Sequence, residues 1–325
     1  MHPAFSVIFL TTLIGAGQGL FLALYTGQVY SFFRLVTAQD PSGFYALGSL
    51  LALALLVLGL AGSFFHLGRP ERAWRSAARW STSWLSREVI VLPALMGAVA
   101  AWGLVHYLGW NPRLFIIRGT FEIDLSLVLG AIATLLAFLL FVCTGMIYAC
   151  IKMLQEWATP LTVINYTLFG LASGFMLATA FASWYGSGLV GFYGGWAILA
   201  TVLVFFTRTA SLIRNARIKY KSTPQSAIGI RHGRIEQKAQ GAMGGSFNTR
   251  EFFHGAAPGQ YRFVKWVFLV LAFPLPLLLV SAGLGAQSVL LLSAAFLVQY
   301  LGLLAERWFF FAQANHPQNL YYQTV

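Results

Sequence analysis

The chain has 325 residues, 58% of them hydrophobic and only 9% charged, with a mean hydropathy of +0.72. That leaves too little polar surface for a soluble protein of this size. Lipid is the expected solvent, and a backbone exposed to lipid satisfies its own hydrogen bonds only as helices or as a closed barrel. Uncharged runs of twenty residues and more select helices, because barrel strands are about ten residues long and alternate in polarity.

Taken in order, the start Met1-His2-Pro3-Ala4-Phe5 lacks a basic leader, and the apolar run behind it is too long for a signal peptide. It reads as an uncleaved first helix over about 5–33. Further spans follow at about 44–65, 89–110 and 125–151, each long enough to cross roughly 30 Å of hydrocarbon. The uncharged stretch 160–207 divides at Trp184-Tyr185-Gly186-Ser187-Gly188, giving spans at about 161–183 and 189–207. The last apolar stretch divides near Ser281-Ala282-Gly283-Leu284-Gly285, giving about 266–281 and 286–305, and Pro274 and Pro276 should kink the seventh helix. The expected fold is all-α: one membrane domain over 1–325, a bundle of eight transmembrane helices. Its one long polar stretch is a basic loop at about 214–261.

Two glycine pairs, Gly15/Gly19 and Gly170/Gly174, carry the four-residue spacing that lets helices approach closely. Cys143 and Cys150 lie in one apolar run and read as packing residues rather than a disulfide or metal framework.

Eight crossings put both termini on one side, together with Arg69, Arg72, Arg75, Arg79, Arg87, Lys152, Arg307 and the eleven Lys/Arg of 208–265. That side holds 18 of the 21 basic residues, and the positive-inside rule assigns it to the cytoplasm. A basic face also suits the docking of an acidic partner. The basic loop has few aromatic residues and lies between spans, so it suits docking or lipid contact and not nucleic acid.

Ionisable groups are missing from the middle of every span so delimited, which argues against a secondary transporter. The six histidines offer no facing pair at one depth, so no haem is expected. A cluster remains at the basic boundary. The second helix ends in His66-Leu67-Gly68-Arg69-Pro70-Glu71-Arg72-Ala73, and the third begins near Leu85-Ser86-Arg87-Glu88. Between them Arg72, Arg75 and Arg79 alternate with Trp74, Trp80 and Trp84, as in a short helix lying in the interface. One reading is structural: arginines on phosphates, tryptophans among headgroups, Glu88 at a helix N-terminus. The other is a quinone site, where a histidine and a carboxylate at the membrane edge bond the carbonyl oxygens and pass protons. Glu306-Arg307, where the eighth span leaves the bilayer, falls on the same side and reads either as part of that site or as a terminal ion pair.

At these residues the sequence resembles the anchor subunit family of dimethyl sulfoxide reductase. The pattern runs from His66-Leu67-Gly68 through Pro70 and Arg72-Ala73 to Leu85-Ser86 and Glu88. The resemblance implies a haem-free anchor that exchanges electrons with ubiquinone or menaquinone. Its expected partners are a subunit of four iron–sulfur clusters and a molybdopterin catalytic subunit. It also implies a quinone site at His66 and Glu88, with Arg72 and Glu306 added to it here, and leaves Arg69, Arg75 and Arg79 to partner or headgroup contacts. This chain itself is expected to hold no metal and no substrate-converting residue, only the quinone half-reaction. In the reductase the catalytic subunits face the periplasm, whereas the histidine-bearing loop here lies on the basic side. That side, and the loop Gly244-Gly245-Ser246-Phe247-Asn248-Thr249-Arg250-Glu251-Phe252, look more like the branch of membrane-bound sulfite dehydrogenases. The implied location is the bacterial inner membrane, with the docking face cytoplasmic. A quinol-oxidising reductase anchor is the alternative within the family.

Overall fold

The computed structural model describes residues 4–65, 68–117, 121–219, 223–235 and 258–315. His66, Arg118 and the 244–252 segment lie outside the described residues. Among the described residues, eight spans are long and apolar enough to cross a membrane. They are built from α1 (Phe5–Phe32), a π-helical turn (Pro41–Tyr45) running into α2 (Ala46–Phe64), α3 (Trp84–Leu108), α4 (Leu125–Ala149), α5 (Pro160–Tyr185) and α6 (Val190–Ala216). After a short α7 (Pro224–Ile228), the seventh span comprises α8 (Pro258–Ala272) and α9 (Pro274–Ala286), and α10 (Val289–Ala312) closes the bundle.

The connections carry the chemistry that starts and stops helices. Asp40 Oδ2 accepts from Gly43 N–H at 2.7 Å, and Asp124 Oδ1 accepts from Leu127 N–H at 2.9 Å, each satisfying a donor left open at a helix start. Gly109 (φ 62°) and Gly186 (φ 71°) end α3 and α5 in the left-handed region. The seventh span breaks at Phe273, because the ring of Pro274 supplies no amide hydrogen to continue α8.

Three features depart from the sequence reading. Between α3 and α4 an antiparallel hairpin, β1 (Arg113–Ile117) and β2 (Phe121–Asp124), adds the one pair of strands among the described residues. The last turn of the bundle falls at Gln287-Ser288, not at Ser281–Gly285: Gln287 takes φ 48° and Ser288 caps α10, while the glycines remain helical. Finally, α6 and α10 run past residues 207 and 305, to Ala216 and Ala312. The charges that mark the ends of those spans in the sequence therefore lie inside helices.

The helices α1 and α5 are the most enclosed, with 67% and 61% of their apolar windows buried against 33% for α6 and α10. They meet along the two glycine pairs. A Cβ on Gly19 would run into the Gly170 carbonyl, and one on Gly174 into the Gly19 backbone, so glycine is what permits this approach. Around that contact lie Leu20, Phe21, Leu24, Leu56, Trp102, Leu140 and Met176, all fully buried. Cys143 is buried and Cys150 exposed, both as free thiols.

Candidate functional site at the Glu88 end of the bundle

The 3-10 helix Pro70–Arg79 connects α2 to α3. Its Arg72 is exposed and 3.7 Å from Glu71, a solvated pair of little energetic weight. Arg69, Arg75 and Arg79 are also exposed, positions suited to headgroups or a partner. Arg87 has a different task. Its Nε and Nη2 donate to the carbonyls of Trp80 and Ser81 at 2.9 and 2.7 Å, and its guanidinium lies 4.2 Å from the Trp84 ring. It pins the end of the connection onto the start of α3.

One residue on, Glu88 turns inward. Its Oε1 accepts from the Thr144 hydroxyl on α4 at 2.5 Å. Glu88 and Thr144 line an interior cavity of about 20 Å³ together with Thr12 and Gln18 of α1, Tyr166 of α5 and Arg307 of α10. A half-buried carboxylate at a membrane edge is thus tied to α4 and shares a cavity with polar side chains of α1, α5 and α10.

Beyond the cavity lies a buried ion cluster. Glu306 is 0% exposed; its Oε1 is 2.7 Å from Arg208 Nε on α6 and its Oε2 is 2.6 Å from Arg307 Nε. The Arg307 guanidinium sits 4.0 Å from the Tyr166 ring centroid and 5.1 Å from that of Phe310, and Arg208 lies 5.7 Å from Phe268. Two guanidiniums share one carboxylate, and aromatic faces carry part of the remaining positive charge. Removing either kind of partner would leave a charge buried without compensation. Glu306 is thus neither a terminal ion pair nor at the edge of its helix: it lies about 9 Å of helix rise before the end of α10.

Of the residues singled out from sequence, the structure links Glu88 and Glu306 through Arg307, which lines the cavity and pairs with Glu306. It does not bring Arg72 into that cavity, and His66 lies outside the described residues. Sequence reasoning missed Thr144, Thr12, Gln18, Tyr166 and Arg208. Their only signal is polarity inside an apolar run. Polar ties also hold the neighbouring helices: Thr207 donates to Asn165 Oδ1 at 2.7 Å, Asn165 Nδ2 to Ser211 at 3.0 Å, and Gln299 Nε2 to Thr201 at 2.9 Å.

The opposite end holds a separate network. Trp102 Nε1 donates to Gln28 Oε1 at 3.0 Å, Gln28 Nε2 to Ser126 Oγ at 2.6 Å, and Ser126 Oγ to Asp124 at 2.9 Å. His106 packs there against Trp102 and Tyr45, at 4.6 and 5.0 Å between ring centroids. It lies in the last turn of α3 and Glu88 in the second, so the two are separated by most of the bilayer thickness.

Comparison with known proteins adds two findings. Residues 1–312 match the family described as DMSO reductase anchor subunit (DmsC). The chain is also 58% identical over 325 residues, the full length of both proteins, to a sulfite dehydrogenase subunit of Allochromatium vinosum.

Proposed function

The chain belongs to the DMSO reductase anchor subunit family, and from that premise we propose that it binds quinone at the Glu88 end. There it passes electrons between the membrane quinone pool and an iron–sulfur partner. Glu88 carries the reading: a carboxylate held inward at the membrane edge, beside the basic 3-10 helix, suits the exchange of the protons that quinone takes up with its electrons. His66, two residues beyond α2, supplies a second titratable group near that edge in sequence. A quinone carbonyl accepting from His66, with Glu88 as the proton carrier, is the arrangement proposed. Arg72 holds the rim, and Glu306 acts through Arg307.

The partners are then a four-cluster iron–sulfur subunit and a molybdopterin catalytic subunit, docked on the exposed arginines Arg69, Arg75 and Arg79. The charge asymmetry supports a cytoplasmic docking face in a bacterial inner membrane. The name of the Allochromatium relative supports sulfite as the reductant, oxidised to sulfate on the catalytic subunit, with quinone as acceptor. Secondary transport loses support, since the buried charges found in α6 and α10 pair with one another.

The test is a comparison of two electron acceptors in the purified complex. With His66→Ala or Glu88→Gln, we expect reduction of a water-soluble dye to persist and quinone reduction to fall by roughly 100-fold. Full quinone activity in both variants would remove the proposed site.

A further inference from the structure

Arg307 has more donors than its protein partners accept. Its Nε serves Glu306, while Nη1, buried in a residue only 3% exposed, makes no hydrogen bond among the described residues; the Tyr166 hydroxyl, a cavity neighbour that is also buried and unpaired, is the protein group nearest to serving it. The same residue lines the cavity that Glu88 lines. A buried cationic donor and a carboxylate that share a small cavity, walled for the rest largely by apolar residues such as Leu10, Ile14 and Phe141, define a site for a ligand that accepts from one and donates to the other. At about 20 Å³ the cavity exceeds the roughly 10–15 Å³ that one water needs and has no room for a larger ligand. Thr12 also lines the cavity, but its hydroxyl is engaged within the protein: it donates to the Ile8 carbonyl at 2.9 Å and accepts from the Tyr300 hydroxyl at 3.1 Å.

We propose that this cavity binds a water that accepts from Arg307 and donates to Glu88, making Arg307 a positioning residue for the Glu88 carboxylate. The inference rests on Glu88 being a quinone-site residue. With Thr144 on one oxygen and the water beside it, the carboxylate keeps its inward orientation between turnovers; the water is a hydrogen-bond partner only, and the proton passes between Glu88 and the quinone. Arg307 stays protonated throughout; it orients the water and transfers nothing. Glu306, by holding Arg307 Nε, fixes the direction from which the guanidinium reaches the cavity.

The structure supplies a gentle way to remove the water. Gly15 lines the cavity, and a Cβ there would meet only the Gly170 Cα, at 3.7 Å, an ordinary contact. Gly15→Ala should therefore reduce the cavity without disturbing the α1–α5 contact. Gly97→Ala, where a Cβ meets nothing within 4 Å, is the control.

The measurement is the infrared difference spectrum of the intact complex on reduction with a short-chain ubiquinone analogue, recorded in H2-16O and H2-18O. We expect an isotope-sensitive water O–H band in the parent and in Gly97→Ala, and its loss in Gly15→Ala. In parallel, Arg307→Gln should lower kcat with that analogue by about tenfold at unchanged KM, with partial rescue by Arg307→Lys. A band that persists in Gly15→Ala, or that is missing from the parent, overturns the inference. If Arg307→Gln fails to assemble, the Gly15→Ala spectrum alone decides. Full quinone activity in Glu88→Gln would instead sink the functional reading, a result independent of the water band.

Discussion

Glu88 shows how much one position can reveal before and after folding. Its place at the start of a span and its match to a family pattern are legible in sequence. Its inward orientation is not, because Thr144 lies 56 residues away on α4. Thr144→Val is expected to lower quinone-coupled turnover by less than Glu88→Gln does, measured in the same assay, since it removes one hydrogen bond and not the proton carrier. In sequence Glu306 reads as the edge of a span, a sensible inference when a lone charge in lipid is costly. Arg208, 98 residues earlier, changes that cost by neutralising it inside the bundle. Glu306→Gln, which leaves two buried guanidiniums sharing a neutral amide, should destabilise the chain by about 3–5 kcal/mol, seen as a lowered unfolding midpoint in detergent. Asp40 is the exposed counterpart. The Gly43 N–H holds its carboxyl below the usual carboxylate range. The sign follows from that: its stabilising cap is complete above the ordinary carboxylate pKa and is lost as pH falls through its lower folded value. Asp40→Asn should remove that acid-side dependence from a plot of melting temperature against pH.

At the scale of elements, hydropathy gives the number of crossings, while their ends depend on partners. The hairpin between α3 and α4 stays hidden because hydropathy leaves the stretch between spans 89–110 and 125–151 only as a connection; it is held by β-pairing and by an exposed Arg113–Glu122 pair at 2.8 Å. The glycine spacing is legible as packing, and the structure assigns it to the α1–α5 seam. Gly19→Leu should therefore abolish assembly, whereas Gly97→Ala should leave the melting temperature unchanged, as read by size-exclusion chromatography and thermal unfolding. The kink expected from Pro274 is a full helix break at Phe273, which a rule based on proline alone places correctly but underestimates.

For the whole molecule, one end gathers the basic 3-10 helix, Glu88 and the buried ion cluster, and the other holds Asp40, the hairpin and the His106 network. Composition separates these ends and the structure fills them, but compartment follows from the charge rule alone. Labelling with a membrane-impermeant maleimide tests it in a Cys150→Ser background. Lys152→Cys, exposed at the Glu88 end, should react in inverted vesicles, and Glu122→Cys, exposed on the hairpin, in right-side-out cells; the reverse pattern would invert the topology and place the docking face in the periplasm. Whether this chain connects iron–sulfur clusters to quinone is decided by stopped-flow optical spectroscopy of reduced clusters mixed with quinone. We expect rapid cluster oxidation in the complex that contains this chain and none in the complex prepared without it. Equal rates in both preparations would show that the clusters reach quinone without this chain.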